Sequence, residues 1–101
     1  MIDLNEKDLK IVKDILKRVA PECEVRAFGS RVKGKAKRYS DLDLALIGRE
    51  KLDWRLLEQL RDEFSISDLP IMVDVADWQT LPDFMKRAIE QESEIIQAPQ
   101  E

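Results

Sequence analysis

Histidine is absent from the chain and cysteine occurs once, at Cys23. Ser-His and Cys-His nucleophilic schemes and the usual zinc sites therefore drop out, and chemistry falls to the carboxylates. The stretch DLDLALI, residues 41–47, alternates, with Leu42, Leu44 and Leu46 on one side and Asp41 and Asp43 on the other. On a strand such carboxylates share a face roughly 6 to 7 Å apart. Like charges so placed are costly unless water or a cation lies between them. Hard oxygen ligands of this kind suit Mg²⁺ or Mn²⁺, whose shells substrate phosphates commonly complete. A solvated edge strand would also present a lone Asp-x-Asp.

Twelve positions before Asp41 stands Gly29, followed by Ser30. A strand over 25–28 runs into Gly29, where the missing side chain permits a tight turn or the close approach of a ligand. Ser30 is expected to cap a short helical turn ending at Gly34, leaving free N–H groups that suit a phosphate. An ordinary strand-to-helix turn is spelled the same way. Arg31, Lys33, Lys35, Lys37 and Arg38 follow without an acidic residue among them. Lys33, Lys37 and Arg38 are candidates to steer phosphate, although a solvated loop accounts for any one of them. Glycine turn, cations and paired aspartates together point to a site for a metal-bound nucleoside triphosphate.

A third carboxylate completes the set. In IMVDVAD, residues 71–77, Ile71, Val73 and Val75 form one apolar face, and Asp74 interrupts the other between Met72 and Ala76. A carboxylate there is costly to bury without a counter-charge. Pairing with Arg26 would relieve it, but clustering with Asp41 and Asp43 is the favoured reading. Asp77 is assigned to the turn that follows.

Two other motifs fail. GSRVKGKA, residues 29–36, fits G-x-x-x-x-G-K but has Ala36 where a P-loop carries its Mg²⁺-binding hydroxyl, and no long apolar helix follows. In an EF-hand reading of Asp41-Leu42-Asp43, Ala45 and Leu46 occupy the next ligand position and the required glycine.

Gly29-Ser30, ten residues, then Asp41-x-Asp43 on a strand resembles the signature of the DNA polymerase β superfamily of nucleotidyltransferases. Within it the chain most resembles the minimal nucleotidyltransferases, small proteins usually encoded beside a helical HEPN partner, and the resemblance covers nearly the whole chain. It implies an α/β nucleotidyltransferase fold, a small mixed sheet with helices packed on one face. It also implies that Asp41 and Asp43 bridge two Mg²⁺ (or Mn²⁺) ions and that Asp74 binds the catalytic ion and helps deprotonate the acceptor hydroxyl. Ser30 and its backbone would hold the β- and γ-phosphates of ATP or another nucleoside triphosphate, with Gly29 allowing their approach. The expected activity is transfer of a nucleoside monophosphate, AMP by preference, onto or alongside the HEPN-type partner, as the antitoxin of a toxin–antitoxin pair. Two alternatives stand beside it, a non-catalytic antitoxin acting by contact and a transferase that modifies a small molecule such as an antibiotic.

The elements that must position these residues are readable in order. Asn5 caps a helix over 6–19 with Leu9, Val12, Ile15, Leu16 and Val19 as its stripe, Leu4 and Leu9 as a staple, and Pro21 as its stop. Helical pairs Glu6–Lys10 and Asp14 with Lys17 or Arg18 are expected on its solvent face. Gly48 ends the aspartate strand, and Asp53 caps a helix to about Phe64 with Leu56, Leu57, Leu60 and Phe64 inward. Trp54 is expected to pack at its edge. Thr80 with Asp83 predicts a capping box for a last helix whose face runs from Phe84 through Ile96, and the tail 97–101 is expected to fray. Helices between strands predict some parallel pairing.

At 101 residues, 44% apolar and 38% charged, the sequence reads as one soluble domain, residues 1–101. A net charge of -4 argues against general nucleic-acid binding. One cysteine predicts a reducing cytoplasm, and neither a signal peptide nor a membrane span is expected. So short a catalytic core leaves the acceptor-binding surface to a second subunit.

Overall fold

A computed structural model describes residues 2–37 and 40–100. The first helix, α1 (Glu6–Val19), starts where Asn5 Oδ1 accepts the Asp8 N–H at 2.8 Å, a cap worth about 1 kcal/mol. Val12, Ile15 and Leu16 are its buried stripe. β1 (Glu24–Phe28) leads into the four-residue helix α2 (Ser30–Lys33), then β2 (Leu42–Ile47), α3 (Trp54–Ser65) and β3 (Val73–Asp77). A 3₁₀ turn (Trp78–Thr80), α4 (Asp83–Gln91) and β4 (Glu94–Gln97) complete the order.

The sheet runs β3-β2-β1-β4, with β2 parallel to β3 and β1 antiparallel to both of its neighbours. The mixed sheet is the one expected. Val25, Ala27, Leu42, Leu44, Leu46 and Val75 share one face and pack against Val12 and Leu16 of α1 and Leu60 and Phe64 of α3. Each fully buried leucine contributes about 1.5–3 kcal/mol. α4 flanks the aspartate-bearing side, where Met85 and Ile89 line a hollow with Phe28 and Gly29.

Several local expectations change. The helix-capping position before α2 is Gly29, at φ 81° and ψ -157°, and Ser30 is the first helical residue. Gly34, at φ 74°, ends α2 as expected. The last helix starts at Asp83 with Pro82 before it, while Thr80 Oγ1 donates to Asp77 O at 3.0 Å within the 3₁₀ turn. The cause is Pro82, which disfavours helical backbone at Leu81, found extended at ψ 145°.

That helix also stops at Gln91, and Glu94–Gln97 forms a fourth strand against β1. Unpaired N–H and C=O groups along β1 are satisfied this way, and Ile95 and Ile96 suit a strand. Nor does the tail fray through Gln100. Gln97 Nε2 donates to Ala20 O at 2.8 Å and Cys23 O at 3.0 Å, and Gln100 N donates to Pro21 O at 2.9 Å.

On α1, Asp14 pairs with Lys10 at 2.8 Å, whereas Arg18 reaches Glu63 of α3 at 2.7 Å. Asp53 caps α3 as expected, accepting the Arg55 N–H at 2.9 Å. Trp54 is 67% exposed, with the Arg55 guanidinium 5.6 Å from its ring centre. Among the described residues, no helix is long and apolar enough to cross a membrane.

Candidate active site

The parallel pairing of β2 with β3 puts Asp43 directly in register with Asp74. Neighbouring strands lie about 4.8 Å apart, so two carboxylates 31 positions apart in the chain become side-by-side neighbours on one face. Asp41 stands exposed just before β2 begins. Burial pushes the Asp43 carboxyl above its usual pKa, and the charges of Asp74 and then Asp41 add to the rise. The charges of Asp74 and Asp41 are thus both felt at Asp43. Asp74 does not turn to Arg26, whose Nε pairs with Glu24 at 2.7 Å.

On the other flank of Asp43, the β1–β2 register sets Phe28 opposite it, and Gly29 follows. A Cβ added to Gly29 would run into Asp43 Oδ2. The glycine is thus required twice, for a backbone conformation that is essentially glycine's alone and for contact with the carboxylate. This close packing joins the Gly-Ser turn to the aspartates, and Ser30 stands next to it at the start of α2.

The cations divide. Lys33 lines the hollow of about 240 Å³ that Phe28 and Gly29 share with α4. Lys37 is exposed, and its backbone N–H donates to Ser40 Oγ at 2.8 Å. Nothing in this contact directs the Lys37 side chain at the aspartates. Arg38 lies outside the described residues. On the β3 side a larger hollow of about 620 Å³ is lined by Asp41, Phe64, Leu69, Ile71, Met72 and Asp74.

Among the described residues, no three histidine, cysteine or acidic side chains gather closely enough to close around a metal ion. The donor set nevertheless suits one. Mg²⁺ takes one or two carboxylates and fills its shell with water and phosphate oxygens, so a closed protein cage is not required. The like-charge pressure on Asp43 is what a divalent cation would relieve.

Arg31 escaped the sequence reading, and Asp77, assigned there to the turn after the strand, is buried as well. Arg31, placed there among surface cations, is 7% exposed and donates to three backbone carbonyls, those of Ser40 (2.9 Å), Asp3 (2.8 Å) and Lys37 (3.4 Å). Its only signal in sequence is its place after Gly29-Ser30. Asp77 is 4% exposed and accepts the N–H groups of Leu52 at 2.9 Å and Gln79 at 3.0 Å, so it ends β3 and caps the turn.

Residues 10–101 match the family model described as polymerase beta, nucleotidyltransferase. Over 96 residues the chain is 48% identical to the probable protein adenylyltransferase MntA of Haemophilus influenzae, covering 95% of this chain and 84% of that one. Among solved structures, a mutant MntA–HpeT toxin–antitoxin complex superposes with a TM-score of 0.75 at 22% identity, over 96% of this chain and 76% of that one. A complex of the tri-AMPylated Shewanella oneidensis HEPN toxin with an MNT antitoxin gives a TM-score of 0.62 at 17% identity, over 92% of this chain and 71% of that one. Fold, glycine turn and the Asp43–Asp74 register agree with the sequence matches, and the chain belongs to the polymerase β nucleotidyltransferase family.

Proposed function

We propose that the chain transfers AMP from ATP to a hydroxyl of a HEPN-type partner protein and thereby acts as an antitoxin. The observation that carries this reading is the crowding of Asp43 by Asp41 and Asp74 on one flank and Gly29 on the other. The H. influenzae relative is named a protein adenylyltransferase, and one solved toxin–antitoxin structure with this fold (TM-score 0.68) contains AMP-PNP.

In this reading the triphosphate lies against Gly29 and Ser30, where the missing side chain lets phosphate oxygens reach the backbone, with Lys33 at the adjoining hollow. Asp41, Asp43 and Asp74 would hold Mg²⁺ or Mn²⁺, which when bound neutralises phosphate charge and eases ionisation of the attacking hydroxyl. Asp74, exposed at the edge strand, takes the proton of the acceptor hydroxyl. The acceptor oxygen bonds to the α-phosphorus as the bond to the β-phosphate oxygen breaks, and pyrophosphate leaves with that electron pair. The acceptor arrives from the β3 side, through the hollow bordered by Asp41 and Asp74, because the turn occupies the β1 side.

Labelled ATP, Mg²⁺ and a HEPN-type partner protein test the reading. The native chain should label the partner, and Asp41→Asn should leave it unlabelled. An unlabelled partner with the native chain, together with equal protection of cells by native and variant proteins, would replace catalysis with neutralisation by contact.

A further inference from the structure

A buried guanidinium is costly unless its donors are satisfied, and Arg31 gives N–H groups to three backbone carbonyls. Nε reaches Ser40 O at 2.9 Å, Nη1 reaches Asp3 O at 2.8 Å and Nη2 reaches Lys37 O at 3.4 Å. In return Asp3 N donates to Arg31 O at 2.7 Å. Three separate stretches meet on this one side chain. They are the amino-terminal segment, the helix that follows the Gly29-Ser30 turn, and the loop that delivers Asp41.

The two attachments on the loop are themselves tied together. Ser40 N donates to Lys37 O at 3.0 Å and Lys37 N to Ser40 Oγ at 2.8 Å. Ser40 is bonded directly to Asp41, so what holds its carbonyl also limits where the Asp41 backbone can go. The amino-terminal attachment is anchored in turn, because Ile2 N donates to Glu94 Oε2 at 2.9 Å on β4.

We propose that Arg31 is a positioning residue, fixing the distance between the phosphate-side turn at Gly29 and the aspartate loop at Asp41, so that both contact a single nucleoside triphosphate at once. The inference rests on the transferase reading given above. The fork is essential to it. A guanidinium presents five N–H groups in one plane and reaches carbonyls in different directions, whereas an ammonium offers three donors around a point. Arg31→Lys keeps the charge and most of the stem but cannot span the three carbonyls.

The test compares native protein, Arg31→Lys and Arg31→Met for binding of AMP-PNP with Mg²⁺ by calorimetry, and for amide hydrogen exchange. Both variants should weaken AMP-PNP by roughly tenfold or more, with faster exchange at Asp3 and at Ser40–Leu42 and unchanged exchange along α1 and α3. Native affinity in a folded Arg31→Lys chain would overturn the inference, since charge alone would then suffice. General loss of protection in both variants would overturn it too, making Arg31 a residue of overall stability. If the native chain binds no AMP-PNP, the transferase reading fails first and the role given to Arg31 falls with it.

Discussion

The two ends of β3 carry the same side chain in opposite circumstances. Asp77, at the carboxyl-terminal end, is buried and accepts two backbone N–H groups. Asp74, three residues earlier, is exposed and faces Asp43 across the register. A buried aspartate saturated by amides is a structural device. An exposed aspartate beside another carboxylate is different, and Asp43 has its pKa raised by burial first and then by the charges of Asp74 and Asp41.

Substitution at each end sharpens the contrast. Asp43→Asn should lower AMP transfer roughly hundred- to thousandfold, the equivalent of several kcal/mol of charge stabilisation, while leaving the protein at least as stable. Asp77→Ala should do the reverse. Losing a charged acceptor for two amides costs about 2–4 kcal/mol, roughly 10–20 °C in Tm for a chain of this size, with near-native transfer per folded molecule. Thermal melts and labelled-ATP transfer on both variants check the pair, and an Asp77→Ala chain that melts normally but is inactive would erase the distinction.

Gly29→Ala comes next in size. Glycine-only backbone and the collision with Asp43 Oδ2 predict about 1–3 kcal/mol of lost stability. They also predict a loss of transfer larger than unfolding explains, because the Cβ displaces the carboxylate. Urea titration beside initial rates separates the two effects.

The smallest effect is a titration. Asp43 is raised first by burial and then by Asp74 and Asp41, so Asp74→Asn should bring its pKa down towards the ordinary range while leaving it elevated. An acid whose folded pKa lies above its unfolded value costs the fold most once pH exceeds the folded pKa, and the cost fades as pH falls through it. The variant should therefore gain stability at neutral pH and little in acid. Carboxyl-carbon NMR without divalent ions reads the titration, and an unmoved Asp43 would mean that Asp74 is not its neighbour in solution.

Much of this was legible before the structure. Asn5, the apolar stripe and Pro21 define α1 because caps and 3.6-residue periodicity are local properties. The alternation around Asp43 and Asp74 gave both strands for the same reason. The family resemblance, carried by Gly29-Ser30 and Asp41-x-Asp43, supplied the fold. What escaped was decided at a distance. β4 is four residues whose pairing depends on the open edge of β1, and Ile95 and Ile96 alone are too short a signal to separate a strand from one more helical turn. Asp77 reads as a turn residue from its place beyond the alternation, but its burial depends on Leu52 N arriving from a distant loop. Arg31 reads as one of five cations until its carbonyl partners, some far away in sequence, are in place.

Parallel pairing of β2 with β3 across α3 has a consequence for biosynthesis. A chain emerging from the ribosome displays Gly29-Ser30 and Asp41-x-Asp43 well before Asp74 is made, yet it can assemble no complete pocket until the later strand docks. Such non-local pairing is intrinsically late and slow. Nucleotide would thus select finished molecules over nascent ones, and bound ligand would protect the completed protein from proteolysis in proportion to its concentration over Kd.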